Sequence, residues 1–397
     1  MKGATPRRIL HYVCQCLRLK SYLKNPGDGR PRPQIPARHL VWSILIGGVL
    51  RESSFHAVEA LICSNARRVL DIGRTFGDDA LAYFTERLDP KPTRQALAGA
   101  LYQAKRNKAF DHSRFIGVAI DGTTVGRCCE QGCNLCRPCK DSKSNIVGYR
   151  HHLVMASIVG TGLALPVDVE PYGPGDSEYA AGQRVLKRIV DNLGRRFAQY
   201  TVVDGEFATA PFLHTADQCG LKVIARLKAN LPELLTAAQA RFTRRPPKCV
   251  FKDGSDRVEI WDADDFDPWD ALEWKTVRVI RYRQHKPDGS VIEACWLTNF
   301  STRQVGSESL YHMAKSRWEI ENQGFNDAKN RYGLEHIPHH HANSLLICWL
   351  LLILALTIER LYRLRYLRRG THAPRSSAEL LLTLWVNLFR PCSADTS

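Results

Sequence analysis

The sequence predicts an α/β fold: a mixed sheet core with a β-rich insertion, an N-terminal helical domain and C-terminal helices. Three observations predict it. Hydrophobic periodicity is helical up to about residue 110 and switches to strand-like runs near residue 115. Two of those runs, "VAIDGTT" and "TVVDGEF", carry an aspartate followed by glycine. A long helical segment, residues 306–397, follows the last strands.

Residues 1–110 show helical patterning in "LVWSILIGGVLRES" (40–53) and "RQALAGALYQAKRNKAF" (94–110), interrupted by the Gly/Pro-rich "NPGDGRPRPQIP" (25–36). They hold 19 Lys/Arg against 8 Asp/Glu, and "RLYRLRYLRR" (360–369) adds five arginines. With a net charge of +16, a basic surplus at both ends points to a polyanion, and nucleic acid is the expected partner over plain solubility charge.

Residues 111–227 read as the first part of the core. "RFIGVAIDGTTV" (114–125), "HHLVMASIVG" (151–160) and "LALPVDVEPY" (163–172) are strands, predicted antiparallel. The helix "EYAAGQRVLKRIVDNLG" (178–194) and the strands "YTVVDGEF" (200–207) and "LKVIARLK" (221–228), predicted parallel, follow. Asp121 and Asp204 each stand at the end of an apolar strand in this reading. In the preceding "PGDSEYAAGQ" (174–183), Asp176 and Glu178 read as N-capping acids. Residues 228–305 alternate like antiparallel strands with Asp-Gly turns and form the β-rich insertion.

Residues 306–397 complete the core and supply the C-terminal helices. "RWEIENQGFNDAK" (317–329) reads as one amphipathic helix. At 100° per residue Arg317 and Glu321 lie about 40° apart, Asp327 about 120° from Glu321, and Glu319 roughly 200° away on the opposite side. Glu321 is therefore the acid expected to face a site, while Glu319 is expected to be nearly silent. "LLICWLLLILALTI" (345–358) is uncharged, but its fourteen residues fall short of the roughly 20 that span a bilayer. A buried core helix is expected, with no membrane. "MKGATPRRILHYVCQC" shows no secretory signal, so the thirteen cysteines are expected to be reduced in a cytoplasmic protein.

Three carboxylates brought together repel unless cations neutralise them, and Mg²⁺ prefers such hard oxygen ligands. A basic protein with a carboxylate metal site suits phosphodiester chemistry. The order strand-Asp121, strand-Asp204, β-insertion and "RWEIEN" helix resembles the DDE-type insertion-sequence transposases with an RNase H-like catalytic core. The resemblance runs from about residue 75 to 365. It includes "TRQALAGALYQAKRNKAF" (93–110) and "GFNDAKNRYGLEH" (324–336).

It implies that Asp121, Asp204 and Glu321 bind two Mg²⁺ or Mn²⁺ ions. It also implies hydrolysis at the ends of a DNA element and transfer of the freed 3′-OH into target DNA. Double-stranded DNA, as element ends and target, and a homodimer in the DNA complex are the implied partners. In the family's Tyr-Arg-Glu-Lys signature the arginine, here Arg317, contacts DNA phosphate. The tyrosine position holds Ala314, with Tyr311 further upstream. The lysine position holds Ala328, so Lys329, assigned the DNA-contacting role, stands one residue late. Some relatives stack a flipped base on an insertion-domain tryptophan. Trp296 is the candidate here, with Trp261, Trp269 and Trp274 as competitors and core packing as the plainer role.

The Cys-rich hairpin 128–139 is a separate candidate. Cys129, Cys133, Cys136 and Cys139 have thiolate spacing suited to structural zinc, with Cys128, His151 or His152 as substitutes, against an exposed reduced loop. The histidines of "GLEHIPHHH" (333–341) read as a solvated or DNA-facing cluster. A plain nuclease on the same fold, or a non-catalytic zinc-dependent DNA-binding protein, are the alternative readings of the whole.

Overall fold

The computed structural model describes residues 5–367 and 376–389. Its centre is a ten-stranded mixed sheet. The strands are β1 (Gly117–Cys128), β2 (Arg137–Lys140), β3 (Ile146–Val159), β4 (Leu165–Pro171), β5 (Tyr200–Val203) and β6 (Lys222–Leu227). β7 (Cys249–Asp253), β8 (Asp256–Phe266), β9 (Val277–His285) and β10 (Val291–Thr298) complete it. The order is β2-β3-β1-β5-β6-β10-β9-β8-β7, with β4 also on β3. The first half follows the RNase H-like arrangement. β4, β3 and β1 run antiparallel, and β5 and β6 continue parallel to β1.

The burial of each strand reflects its place. The apolar "YTVV" of β5 is fully buried, as a strand covered on both faces must be. β1 is buried from Gly117 to Ile120 and opens to intermediate exposure at Asp121, where its partner β5 has ended. Helix Glu178–Leu193 covers this half, with Ala181, Val185, Leu186, Ile189 and Leu193 as its buried stripe. Ser177 caps it by accepting from the Ala180 N–H at 3.3 Å, so the cap falls to the serine between Asp176 and Glu178.

The 228–305 segment is β-rich, and β10 pairs antiparallel with β6, so these strands extend the core sheet. Helix Pro232–Thr243 lies within the same segment.

Helices Ala37–Val49 and Pro90–Arg106 fall on the two stretches with helical patterning, and Phe55–Cys63 and Asp78–Arg87 lie between them. Three of them, with β4, pack around helix Ala342–Tyr362, which contains the apolar run. Its extension to Tyr366 is long and apolar enough to cross a membrane, but 89% of its apolar window is buried inside the protein. Arg360, the first arginine of the basic 360–369 run, is only 2% exposed and so cannot serve as a surface cation. Arg368 and Arg369 lie outside the described residues.

A buried ion pair joins the β8–β9 strands to the third-acid segment. Arg278 on β9 donates to Asp262 on β8 from Nε at 2.8 Å and Nη2 at 2.6 Å, and its Nη1 donates to the Val305 carbonyl at 2.8 Å. Ser307, opening helix Ser307–Lys315, donates to the same carboxylate at 2.5 Å. Burial opposes ionisation of Asp262. The Arg278 and Ser307 hydrogen bonds outweigh it and hold the carboxyl below its ordinary value.

A depressed carboxyl stabilises the fold above its unfolded pKa, and that contribution is lost as pH falls through the folded value. Asp262→Asn should therefore cost about 3–5 kcal/mol at pH 7, because Arg278 is left buried without a counter-charge. Urea melts at pH 7 and pH 3 should show the gap between wild type and variant narrowing in acid. A loss below about 1 kcal/mol at pH 7 would show that the pair does not anchor this segment.

Candidate active site

Ile120 of β1 and Val203 of β5 are the last residues these parallel strands pair, and the next residue of each chain is an acid, Asp121 or Asp204. Neighbouring strands lie about 4.8 Å apart, so the register alone makes the two acids neighbours. Asp204 ends its strand as expected. Asp121 does not: β1 continues to Cys128, paired with β3, and Asp121 sits mid-strand opposite Met155. The Asp-Gly here is not a turn.

Each following glycine makes room for a second charged chain. A Cβ on Gly122 would meet the Glu178 carboxylate at 2.2–2.4 Å, and one on Gly205 would meet the Lys228 side chain at 2.9 Å.

Glu321 arrives from the other side of the sheet with Arg317. One guanidinium grips both acids: Nη2 donates to Glu321 Oε1 at 2.9 Å and Nη1 to Asp121 Oδ2 at 3.3 Å. Asp204 accepts from Lys228 Nζ at 2.5 Å.

The 317–329 helix is not uniform. Arg317–Glu319 is α-helical, Ile320–Phe325 forms a π-helical turn, and Asn326–Tyr332 is α-helical again. A π turn takes in one residue more than an α turn. The extra residue brings the eighth position after Glu321 to about the phase that the seventh would have in a continuous helix. Lys329 accordingly lies over β1, donating to the Thr124 carbonyl at 2.8 Å, three residues along the strand from Asp121. Arg360 fastens the turn, donating to the Gln323 carbonyl at 2.5 Å and to Asp327 at 2.8 Å.

Charge sorts the acids. Burial pushes Asp121 up to about 7, with Glu321 and Glu178 adding to the rise and Arg317 opposing it. Burial opposes ionisation of Asp204 too. The Lys228 hydrogen bond, the Gly205 N–H and the Arg317 charge nevertheless hold it below the ordinary range. Glu178 is pushed up by burial, despite the Tyr172 hydroxyl donating to it at 2.9 Å. Asp121 and Glu321 share Arg317, and Asp204 follows the residue paired with Ile120, giving an all-oxygen donor set beside Lys228 and Lys329. Among the described residues, however, the three carboxylates do not close to within 4.8 Å of one another. Hard divalent cations fit that chemistry, and soft ones do not.

Residues 112–358, more than half of the chain, match the transposase DDE domain family, and Asp121, Asp204 and Glu321 all lie within the match. The chain belongs to that family. Among solved structures, the cryo-EM structure of the piggyBac transposase synaptic complex with hairpin DNA aligns over 100% of this chain and 87% of that one. The identity is 11% and the TM-score 0.38. No curated protein matches.

The transposase domain revises several sequence expectations. Trp296 is 1% exposed on β10, packed edge-on against Trp318 with Arg226 over its ring, so it is a core residue and cannot stack on a base as placed. Trp261 is buried as well, and Trp274 donates to Asp217. Tyr311 is buried and donates to Asp253 at 2.9 Å, away from the acids. Glu319 does point away from Glu321. It is half-buried, however, accepts from the Gly160 N–H at 3.2 Å, and is pushed by burial up to about 7. Its removal would therefore not be silent for stability.

The cysteine hairpin departs from the expected ligand set. Cys133, Cys136, His151 and His340 come together, whereas Cys129 is exposed and neither it nor Cys139 joins the group. His340 thereby leaves the solvated histidine cluster, and His339 pairs with Glu86 at 2.8 Å.

Sequence reading missed Glu178 and Lys228. Lys228 was legible as the residue after the strand beside Asp204. Glu178 was read only as a capping acid, because nothing local shows that it reaches Gly122, next to Asp121.

Gly122→Ala should displace Glu178 and lower the melting temperature, and Glu178→Ala should remove most of that penalty. A coupling of about 1 kcal/mol or more between the two changes is expected. Equal penalties for Gly122→Ala with and without Glu178 would contradict the packing described.

Proposed function

We propose that this chain is the transposase of an insertion sequence. In this reading it hydrolyses the phosphodiester backbone at the ends of its element and joins the freed 3′-OH to target DNA. The observation that carries the reading is the single Arg317 guanidinium bridging Asp121 and Glu321, with Asp204 one register step away. Asp121, Asp204 and Glu321 would hold two Mg²⁺ or Mn²⁺ ions. When bound, such ions activate the attacking oxygen and stabilise the leaving one.

The chain's own residues do the remaining work. Arg317 holds Asp121 and Glu321 in position and faces incoming phosphate. Lys228 and Lys329 flank the acids on either side and neutralise the backbone of the bound strand. Residues 1–110 act as the end-reading domain, and their surplus of 19 basic over 8 acidic residues supplies phosphate contacts. Residues 111–227 and 306–397 form the catalytic core, and 228–305 widen it toward a second DNA end. Holding two ends implies a homodimer in the complex, acting in the cytoplasm on double-stranded DNA.

The test uses purified full-length protein, Mg²⁺ and a DNA fragment carrying the element's own termini. Asp121→Asn, Asp204→Asn and Glu321→Gln should each abolish end cleavage and strand transfer while end binding persists. Cleavage retained in any of the three would remove that residue from the site. Nicking without strand transfer by the wild type would leave a nuclease, and binding without nicking a DNA-binding protein.

A further inference from the structure

Beyond the acids, four side chains from three separate stretches converge beneath the hairpin. Cys133 and Cys136 lie in the loop between β1 and β2. His151 stands on β3 opposite Val125, and His340 lies in the connection to helix Ala342–Tyr362. Their ligand atoms all lie within 4.8 Å of one another. The two thiols are 3.8 Å apart, and His151 Nε2 is 3.3 Å from Cys133 Sγ and 3.5 Å from Cys136 Sγ. His340 Nε2 is 3.2 Å from Cys136 Sγ.

We propose that Cys133, Cys136, His151 and His340 bind one structural zinc ion. Bonds of about 2.3 Å to sulfur and 2.0–2.1 Å to nitrogen, set tetrahedrally, give edges of about 3.8 Å between sulfurs and about 3.6 Å between sulfur and nitrogen. The observed separations fall on or slightly inside those edges.

Two thiolates and two imidazoles select zinc over the hard cations that suit the carboxylate centre. Four protein ligands leave no open position, which is the mark of a structural ion. Cys136 and His151 are buried, and His151 Nδ1 has no hydrogen-bond partner. His151 Nε2, the ring atom facing both thiols, is the one placed to ligate.

Two glycines make the approach feasible. A Cβ on Gly132 would strike the His340 ring at 2.1 Å, and Gly126, at φ +62°, bulges β1 where Ile337 packs. The hairpin has few apolar residues of its own, so a metal is an effective way to order it. The ion would also staple the strand that bears Asp121 to the segment leaving the helix that bears Glu321 and Lys329. It would close the edge of the active site without taking part in its chemistry.

The test reads metal content rather than DNA cleavage, so it stands or falls separately from the proposed function. Full-length protein purified without chelator should carry about one zinc per chain by elemental analysis. Cys136→Ser and His340→Ala should each lose most of it, and a Cys129→Ser/Cys139→Ser double variant should keep it. Should the single variants fail to fold, Co²⁺ added to metal-stripped wild type serves instead. It should give the thiolate charge-transfer absorption and strong visible bands of a tetrahedral sulfur–nitrogen site. Any one of three results would overturn the proposal: less than about 0.2 zinc per chain with no such cobalt spectrum, zinc retained in both single variants, or zinc lost from the double variant.

Discussion

Arg317 imposes the constraint on which the site depends. Its side chain is 10% exposed and must find partners, because a buried cation without them is prohibitively costly. It finds two, Asp121 in the middle of a central strand and Glu321 on a helix far along the chain. The Glu321 pair is local, i to i+4 on the helical segment that carries Arg317, so it is the bond to Asp121 that fixes where that segment crosses the sheet. Asp204 needs no such clamp, since the parallel pairing of β1 with β5 already sets it beside Asp121. The same guanidinium tempers the repulsion among the acids, and burial still lifts Asp121 to about 7.

Two further buried arginines hold the clamp in position. Arg278 ties β8 and β9 to the carbonyl of Val305 and shares Asp262 with Ser307, and so sets the start of the helices leading to Arg317. Arg360 reaches from the central helix to the carbonyls of Ala164 and Gln323 and to Asp327. It thus locks the π turn against the β3–β4 connection. Each arginine joins segments distant in sequence, and each would leave an uncompensated charge if its partners moved. Buried ion pairs of this kind add little net stability, but they penalise every alternative arrangement.

Much of this was legible in the sequence, for identifiable reasons. Strand-like runs and Asp-Gly pairs marked β1 and β5 and delivered both aspartates. Helical phase correctly separated Glu321 from Glu319 on opposite sides. The same phase left Lys329 out of step, because a π turn, here Ile320–Phe325, gives no signal in residue periodicity. Trp296 looked available because an aromatic residue in a β-strand reads the same whether its face is solvated or covered. Here the third-acid helix brings Trp318 against it. The metal-ligand candidates held in part, for Cys133, Cys136 and the substitute His151, and missed the fourth member for a similar reason. Spacing within the hairpin suggested four cysteines, while the fold supplied His340 from about 200 residues away, and contacts of that range leave no local pattern.

Two chemically distinct sets of side chains are therefore linked through β1 and the loop after Lys329: the carboxylates of Asp121, Asp204 and Glu321, and the sulfur–nitrogen group of Cys133, Cys136, His151 and His340. The claim that organises the site is that Asp121, Asp204 and Glu321 jointly hold divalent cations. Anomalous-difference diffraction from crystals soaked in Mn²⁺ measures this directly. Peaks bonded to carboxylate oxygens of all three acids are the expected result. Peaks elsewhere, with these acids uncoordinated at saturating Mn²⁺, would contradict it.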